Sequence, residues 1–516
     1  MNLVENALAL TSPITVITGK HKNDLTREDL LKVIIERKLE RITFHYTAGD
    51  GRIRELRIPI TSRKQAEVIL AEGERVDGSS LFKGVVDTGK SDLYVVPVYK
   101  TAFLNPFDTS SIDFMCRFFD KEGNPADFAS DNILAKASNM LRERTGLELH
   151  ALGELEFYLI GKHPQTSYPL PKQRGYHNTA PFIKTGEILN DMIRQISHIT
   201  GNIKYAHYEV GSIQCLESEF EELNGKTAEQ VEVEFLPTPI EETGDIMTLA
   251  SWIVRNVAYR HGFVATFYPK LDIGHAGSGL HFHMALMKDG KNMMSEANGE
   301  LSESAKALIG GLCQYATSLT AFGNMVAGSY LRLVPNQEAP TKVCWSEQNR
   351  SAMIRVPLTW SGVNNLAQRV NPQQTTKLEN IPSRSTVEIR TPDGSANAHL
   401  LLAGLAMAAE WGLTNKDKSL PLAEASHVCG NIHSCPGSDE LPELATSCVE
   451  SSEILLSNRE LFERDGIFPP QVIANTANHL LNENDLNLNK RLLALPEEEK
   501  VYESRRIMHR QIHLHK

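Results

Sequence analysis

Residues 153–160, GELEFYLI, constrain this chain more than any other stretch. Their alternation predicts a strand, on which successive side chains take opposite faces. Leu155, Phe157 and Leu159 then face one layer, while Glu154, Glu156 and Tyr158 share the other. Two acids on one buried face are costly unless a positive charge sits between them. Like charges push a pKa up or recruit a cation, and hard oxygen donors select magnesium or manganese over softer metals. A half-exposed strand with a solvated acidic face has the same alternation, so the residues downstream must decide.

Those residues supply partners. The run KYAHYEV, residues 204–210, carries Glu209, and VEVEF, residues 231–235, puts Glu232 and Glu234 two apart on another expected strand. In GSGLHFHM, residues 277–284, Gly277 and Gly279 let backbone approach a ligand closely, and His281 and His283 share one strand face. A histidine pair alone is more often structural; neighbouring carboxylate strands weaken that reading. Arg332, Arg350, Arg355 and Arg390 follow, interleaved with Glu338 and Glu388. Arginine suits bidentate recognition of phosphate and carboxylate groups, although each one singly fits a surface ion pair.

At 516 residues the chain is long enough for two or more domains, and 41% hydrophobic with 23% charged residues is a globular composition. A net charge of -11 argues against a generic nucleic-acid binder. Seven scattered cysteines without a CxxC pair predict free thiols in a reducing compartment. The N-terminus lacks a basic start followed by a sustained apolar core, and the most apolar run, residues 398–413, is broken by His399 and Glu410. It predicts a core helix in a cytoplasmic protein with no membrane span.

Residues 24–38 predict a helix capped near Thr26, and residues 41–60 a hairpin turning at Ala48-Gly49-Asp50-Gly51. Together they predict a small α+β domain. Residues 84–91, GVVDTGKS, satisfy the phosphate-loop pattern by letter, but the exit DLYVVP reads as strand, where that motif needs a helix N-terminus. It is rejected. Further helices are expected over residues 130–146, 185–200 and 244–262, with loops over 163–182 and 371–385. The tail histidines His509, His513 and His515 read as a solvated terminus.

In order, the blocks VDGSS with SDLYVVP, GELEFYL, HYEV with VEVEF, ATFYPK with GSGLHFHM, RLVPNQEAP with NRSAMIRVP, and VEIRTPDGSAN resemble the glutamine synthetase family over roughly residues 30–415. The resemblance implies an α+β fold: a β-grasp-like domain over residues 1–125, then a catalytic domain over residues 126–516 with a curved antiparallel sheet flanked by helices. It implies ATP-dependent ligation of ammonia to L-glutamate through a γ-glutamyl phosphate, with two or more Mg2+ or Mn2+ ions per site. One metal position would fall on Glu156, Glu209 and Glu232, with Glu232 preferred to Glu217, and the other on Glu154, His281 and Glu388. Ser80, Gly277, Arg332, Arg355 and Arg390 would bind substrate, and His283, Arg350 and Arg355 the nucleotide. Asp77, Glu338 and Arg350 would be catalytic, with Asp77 and Ser80 reaching a neighbouring subunit's ammonium site in a homo-oligomer, a dodecamer by resemblance.

Three positions depart from the family pattern: Ala276, Ala285 and Thr386. They touch the substrate and nucleotide sides more than the metals. No tyrosine lies between residues 400 and 501, so control by adenylylation there is not expected. Two other functions fit the same residues: γ-glutamylation of an organic amine, and a non-catalytic assembly or regulatory homologue.

Overall fold

In the computed structural model, residues 7–163, 168–170, 172–334, 339–359, 364–379, 381–430, 432 and 440–513 are described. The Arg27–Arg37 helix starts where expected, with the Asp29 carboxylate accepting from the Thr26 N–H at 2.8 Å. The hairpin forms from strands Arg41–Thr47 and Ile53–Pro59, with Gly51 in the left-handed region its turn requires. Strand Arg41–Thr47 pairs in parallel with Ser111–Phe119, which pairs antiparallel with Asp92–Pro97, itself antiparallel to Glu74–Asp77. Leu30, Ile34, Ile69, Phe44 and Phe114 form the core between this small sheet and its helices. Residues 84–91 make a short 3-10 turn, Thr88–Lys90, that enters the Asp92–Pro97 strand, so no helix start faces a phosphate there.

The second sheet has ten strands among the described residues. Along its main path run Trp345–Glu347, Ile354–Val356, Val387–Ile389, Leu280–Lys288, Glu148–Gly161, Thr227–Phe235 and Ile203–Ile213. Neighbours are antiparallel except the first pair, which is parallel. One face is closed by helices Ser130–Thr145, Ile240–Arg260, Glu303–Gly323 and Ala398–Thr414. Leu155, Phe157, Val233 and Phe282 point into that layer, as alternation predicts for the apolar side of each strand.

The two sheets are tied by buried charge. Arg117, on the small sheet, donates to both Asp245 oxygens at 3.2 and 2.6 Å, and its Nε lies 3.5 Å from Asp131. His399 Nε2 lies 3.2 Å from Asp245 Oδ1. Lys22 and Lys100 both reach Glu242 at 2.9 Å, and Trp252 packs against His45 and Phe107. The polar residues that interrupt the apolar run 398–413 are therefore buried partners: His399 of Asp245, and Glu410 of Arg144 and Arg464.

Six described cysteines are free. No helix among the described residues is long and apolar enough to cross a membrane. One expectation fails: His509 is not solvated but 2% exposed on the Glu497–Arg510 helix, bonded at Nε2 to Leu271 O and at Nδ1 to Ser218 Oγ. Periodicity near a chain end cannot reveal that a helix folds back onto the body. His515 lies outside the described residues.

Candidate active site

The open face of the large sheet lines a cavity of about 1790 Å³. Register builds it. Glu154 stands opposite His281 on one side and Glu234 on the other; Glu156 stands opposite Glu232, which faces His207; and Glu388 stands between His283 and Arg355. Because cross-strand neighbours share a face, an alternating acid pattern on four strands becomes one acidic floor.

Three ligand groups result among the described residues. Glu154, His281 and Glu388 offer atoms within 4.8 Å of one another, so do His207, Glu209 and Glu232, and so do Glu154, Glu232 and Glu234. Glu154 is the hub of the first: His281 Nδ1 lies 3.0 Å from its Oε2 and His283 Nε2 2.8 Å from its Oε1. Glu388, fully buried, accepts from Arg355 at 2.9 Å and Arg390 at 2.8 Å. Glu156 Oε2 accepts from the Gly279 N–H at 2.8 Å and from Gln230 at 3.3 Å. A Cβ on Gly279 would lie 2.4 Å from His281 Nε2 and 2.9 Å from Arg332 Nη2, so this close approach of backbone to imidazole and guanidinium admits no side chain.

Burial, then the Glu156 and Glu232 carboxylates, pushes Glu209 up to about 8. Burial raises Glu232 as well, against the His207 hydrogen bond. Burial also opposes ionisation of Glu154, but His283 and His281 outweigh it and hold the carboxyl well below its usual range. His283 is pushed up to about 9, where burial is overcome by Glu154 and Glu388. Carboxylates this crowded, with Glu209 and Glu232 both raised by burial and by neighbouring carboxylates, fit divalent cations: the donors are hard oxygens, joined by one imidazole in each of two groups. Glu234 adds a buried Oε2 with no hydrogen-bond partner, while its Oε1 accepts from Lys204 at 2.6 Å.

Arginines form the facing wall. Arg332, Arg350, Arg355 and Arg390 all line the cavity, and the buried Nε atoms of Arg355 and Arg390 lack hydrogen-bond partners, as suits a site for an anionic group. Arg332 is fixed by Thr391 O at 2.8 Å and Arg390 O at 3.2 Å. Arg350 lies over the Tyr176 ring at 6.0 Å.

The structure thus gathers Glu154, Glu156, Glu209, Glu232, His281, His283, Glu388, Gly277 and the four arginines at one cavity. Asp77 and Ser80 do not line it. Asp77 caps a helical turn on the small domain, its carboxyl held at about 2 by the hydroxyls of Ser80 and Ser79. Glu338 lies outside the described residues. Glu217, the alternative to Glu232, faces solvent and pairs with Arg505. Of the departing positions, Ala276 and Ala285 line the cavity, and Thr386 Oγ1 lies 3.1 Å from His283 Nδ1.

Sequence reasoning assigned no role to His207, Gln230, Gln173 or Tyr176. His207 carried a signal, standing two residues before Glu209 on one strand, so that both join the second group. Gln230 precedes Glu232 by the same spacing and reaches Gly277 O at 2.9 Å as well as Glu156. Gln173 and Tyr176 come from a loop whose path no periodicity predicts.

Fold and site together define a two-domain α+β protein whose curved sheet gathers acidic groups able to hold divalent cations, opposite a wall of arginines. The "Glutamine synthetase, beta-Grasp domain" model matches residues 38–121, and the "Glutamine synthetase, catalytic domain" model residues 130–479. The glutamine synthetase of Pyrococcus horikoshii is 31% identical over 369 residues, covering 71% of this chain and 73% of its own. That of Methylococcus capsulatus is 28% identical over 479 residues, covering 87% and 94%. Among solved structures, Plasmodium falciparum glutamine synthetase superposes with a TM-score of 0.71 at 20% identity, covering 90% of this chain and 97% of its own. A protein titled GmaS, solved without ligand, gives 0.68 at 20%, covering 91% and 98%. The chain belongs to the glutamine synthetase family, whose ligases typically bind ATP and metal.

Proposed function

We propose that this chain joins ammonia to the γ-carboxylate of L-glutamate at the expense of ATP, by way of a γ-glutamyl phosphate. The observation that carries the reading is the convergence of two acidic ligand groups and four arginines on one cavity. Glu156, Glu209 and Glu232, with His207 beside them, would hold one Mg2+ or Mn2+, and Glu154, His281 and Glu388 the other. Divalent cations bound there would offset charge on the transferring phosphoryl group.

In this reading Arg332 and Arg390, with Gly277, bind glutamate, joined by Ser80 from a neighbouring copy; Arg350, Arg355 and His283 hold the nucleotide's phosphates, with the arginines also countering charge as the phosphoryl group moves. Glu338 would close over the intermediate. Asp77, exposed and absent from its own chain's cavity, would serve a neighbouring copy, which makes the working enzyme a homo-oligomer, with the dodecamer as the expected form. Its low pKa suits it to hold an ammonium ion more than to deprotonate one. Residues 1–125 and 126–516 are the two domains of this reading.

Transfer to an organic amine is the second reading. It is supported by the fold-level likeness to GmaS, a γ-glutamylmethylamide synthetase, and by the departures at Ala276 and Ala285 on the cavity wall. Phosphate release with ATP and glutamate, measured with ammonium, methylamine, ethanolamine and putrescine, separates the two. Ammonium should be the best acceptor. A faster organic amine would move the assignment to amide synthesis from that amine, and no turnover with any acceptor would leave a non-catalytic homologue.

A further inference from the structure

No described residue of the C-terminal segment lines the cavity, yet the segment braces the wall from behind. Arg505, on the Glu497–Arg510 helix, donates from Nε to Asp272 Oδ1 at 2.8 Å and from Nη2 to Oδ2 at 3.0 Å; its Nη1 pairs with Glu217. Asp272 is 2% exposed, and its Oδ1 also accepts from the Ile273 N–H at 2.8 Å. The fork therefore fixes the start of the loop that runs through Ala276 and Gly277. His509 adds its bond to Leu271 O, and Ile512 O accepts from Thr266 Oγ1 at 3.1 Å while its side chain packs with Tyr158 and Leu271.

The same helix backs a second element. Met508 packs with Tyr268 and Leu331, next to Arg332. Loop and arginine meet at the cavity, where a Cβ on Gly277 would lie 3.0 Å from Arg332 Cγ. An exposed ion pair contributes little. This one differs, because its acid is buried, the contact is bidentate, and the loop it starts lines the cavity.

We propose that Arg505 is a positioning residue: through Asp272 it holds the 271–277 loop against Arg332 and so sets the affinity for the carboxylate substrate without touching it. The choice of substrate rests on the ligase reading; the order of the loop does not. The test compares Arg505→Met and Arg505→Lys in the full-length protein. In R505M the KM for glutamate should rise about tenfold with kcat held within about twofold, since a misplaced binding element weakens binding before chemistry. Hydrogen exchange should quicken at residues 271–277, and Mn2+ stoichiometry should not change. R505K should recover part of both effects, because an ammonium can hold one Asp272 oxygen but not fork both. Unchanged exchange and unchanged KM in R505M would overturn the proposal. So would kcat, KM and thermal midpoint failing together in both variants, the mark of a merely structural contact. If wild-type protein turns over no carboxylate, the ligase reading fails, and the exchange measurement still decides the loop.

Discussion

Replacing Glu388 by glutamine keeps the shape of the side chain and removes its charge, at a position where the carboxylate is fully buried between two guanidinium groups. Burial disfavours its ionised form, yet His283 and Arg390 bring the carboxyl below its ordinary pKa, so the negative charge is in place at neutral pH. Each charge-assisted hydrogen bond is worth roughly 1.5–3 kcal/mol, and stripping one member from a buried ion pair costs roughly 3–5 kcal/mol. Glutamine keeps one acceptor and turns an amide donor toward a donor. Two guanidinium groups, Arg390 buried and Arg355 partly so, then lose the charge that offsets them beside the proposed cation site. Loss of a ligand exceeds the 10–100-fold that loss of a supporting contact costs, so Mn2+ affinity at this group should fall by at least about 100-fold, or about 2.7 kcal/mol. Calorimetric titration of Mn2+ into E388Q should lose one binding event per chain relative to wild type. Arg355→Met is the control of opposite sign: removing a competing cation should tighten Mn2+ while abolishing turnover. Wild-type stoichiometry and affinity in E388Q would refute the reasoning, and so would weaker Mn2+ binding in R355M.

Gly279→Ala places a methyl group 2.4 Å from His281 Nε2, so the imidazole must move; overpacking should cost about 1–3 kcal/mol and lower Mn2+ affinity about tenfold or more. A thermal scan with a Mn2+ titration measures both. Asp245 offers a pH test. Burial raises its carboxyl, but Arg117 and His399 hold it below the unfolded value of about 3.9. A depressed folded pKa means stability that is present above the unfolded pKa and lost as pH falls below it. The gap in thermal midpoint between wild type and Asp245→Asn should therefore be constant above about pH 5 and shrink below about pH 4, read by circular dichroism.

Alternation made much of the site legible. Glu154 and Glu156 on one strand face, Glu232 and Glu234 on another, and His281 with His283 on a third follow from period two alone. Their convergence did not follow, since only register decides that Glu154 stands opposite His281 and Glu234 rather than a residue either side. The phosphate-loop letters at residues 84–91 were correctly set aside, because a strand and not a helix leaves the loop. What the sequence hid were contacts made at long range: Arg505 reaching Asp272, His509 buried under a fold-back, Arg117 of the small sheet reaching Asp245 on a helix of the large domain. Each of these side chains looks solvated in its local context. His399 looked like an interruption of an apolar helix and instead shares Asp245 with Arg117.

That buried tie has a mechanical consequence. A guanidinium gripped by Asp245 and flanked by Asp131, with two lysines sharing Glu242 nearby, leaves no hinge at which the small sheet could swing away from the large one without stranding charge. The bearing of Asp77 relative to its own chain's floor is therefore set once, when the chain folds.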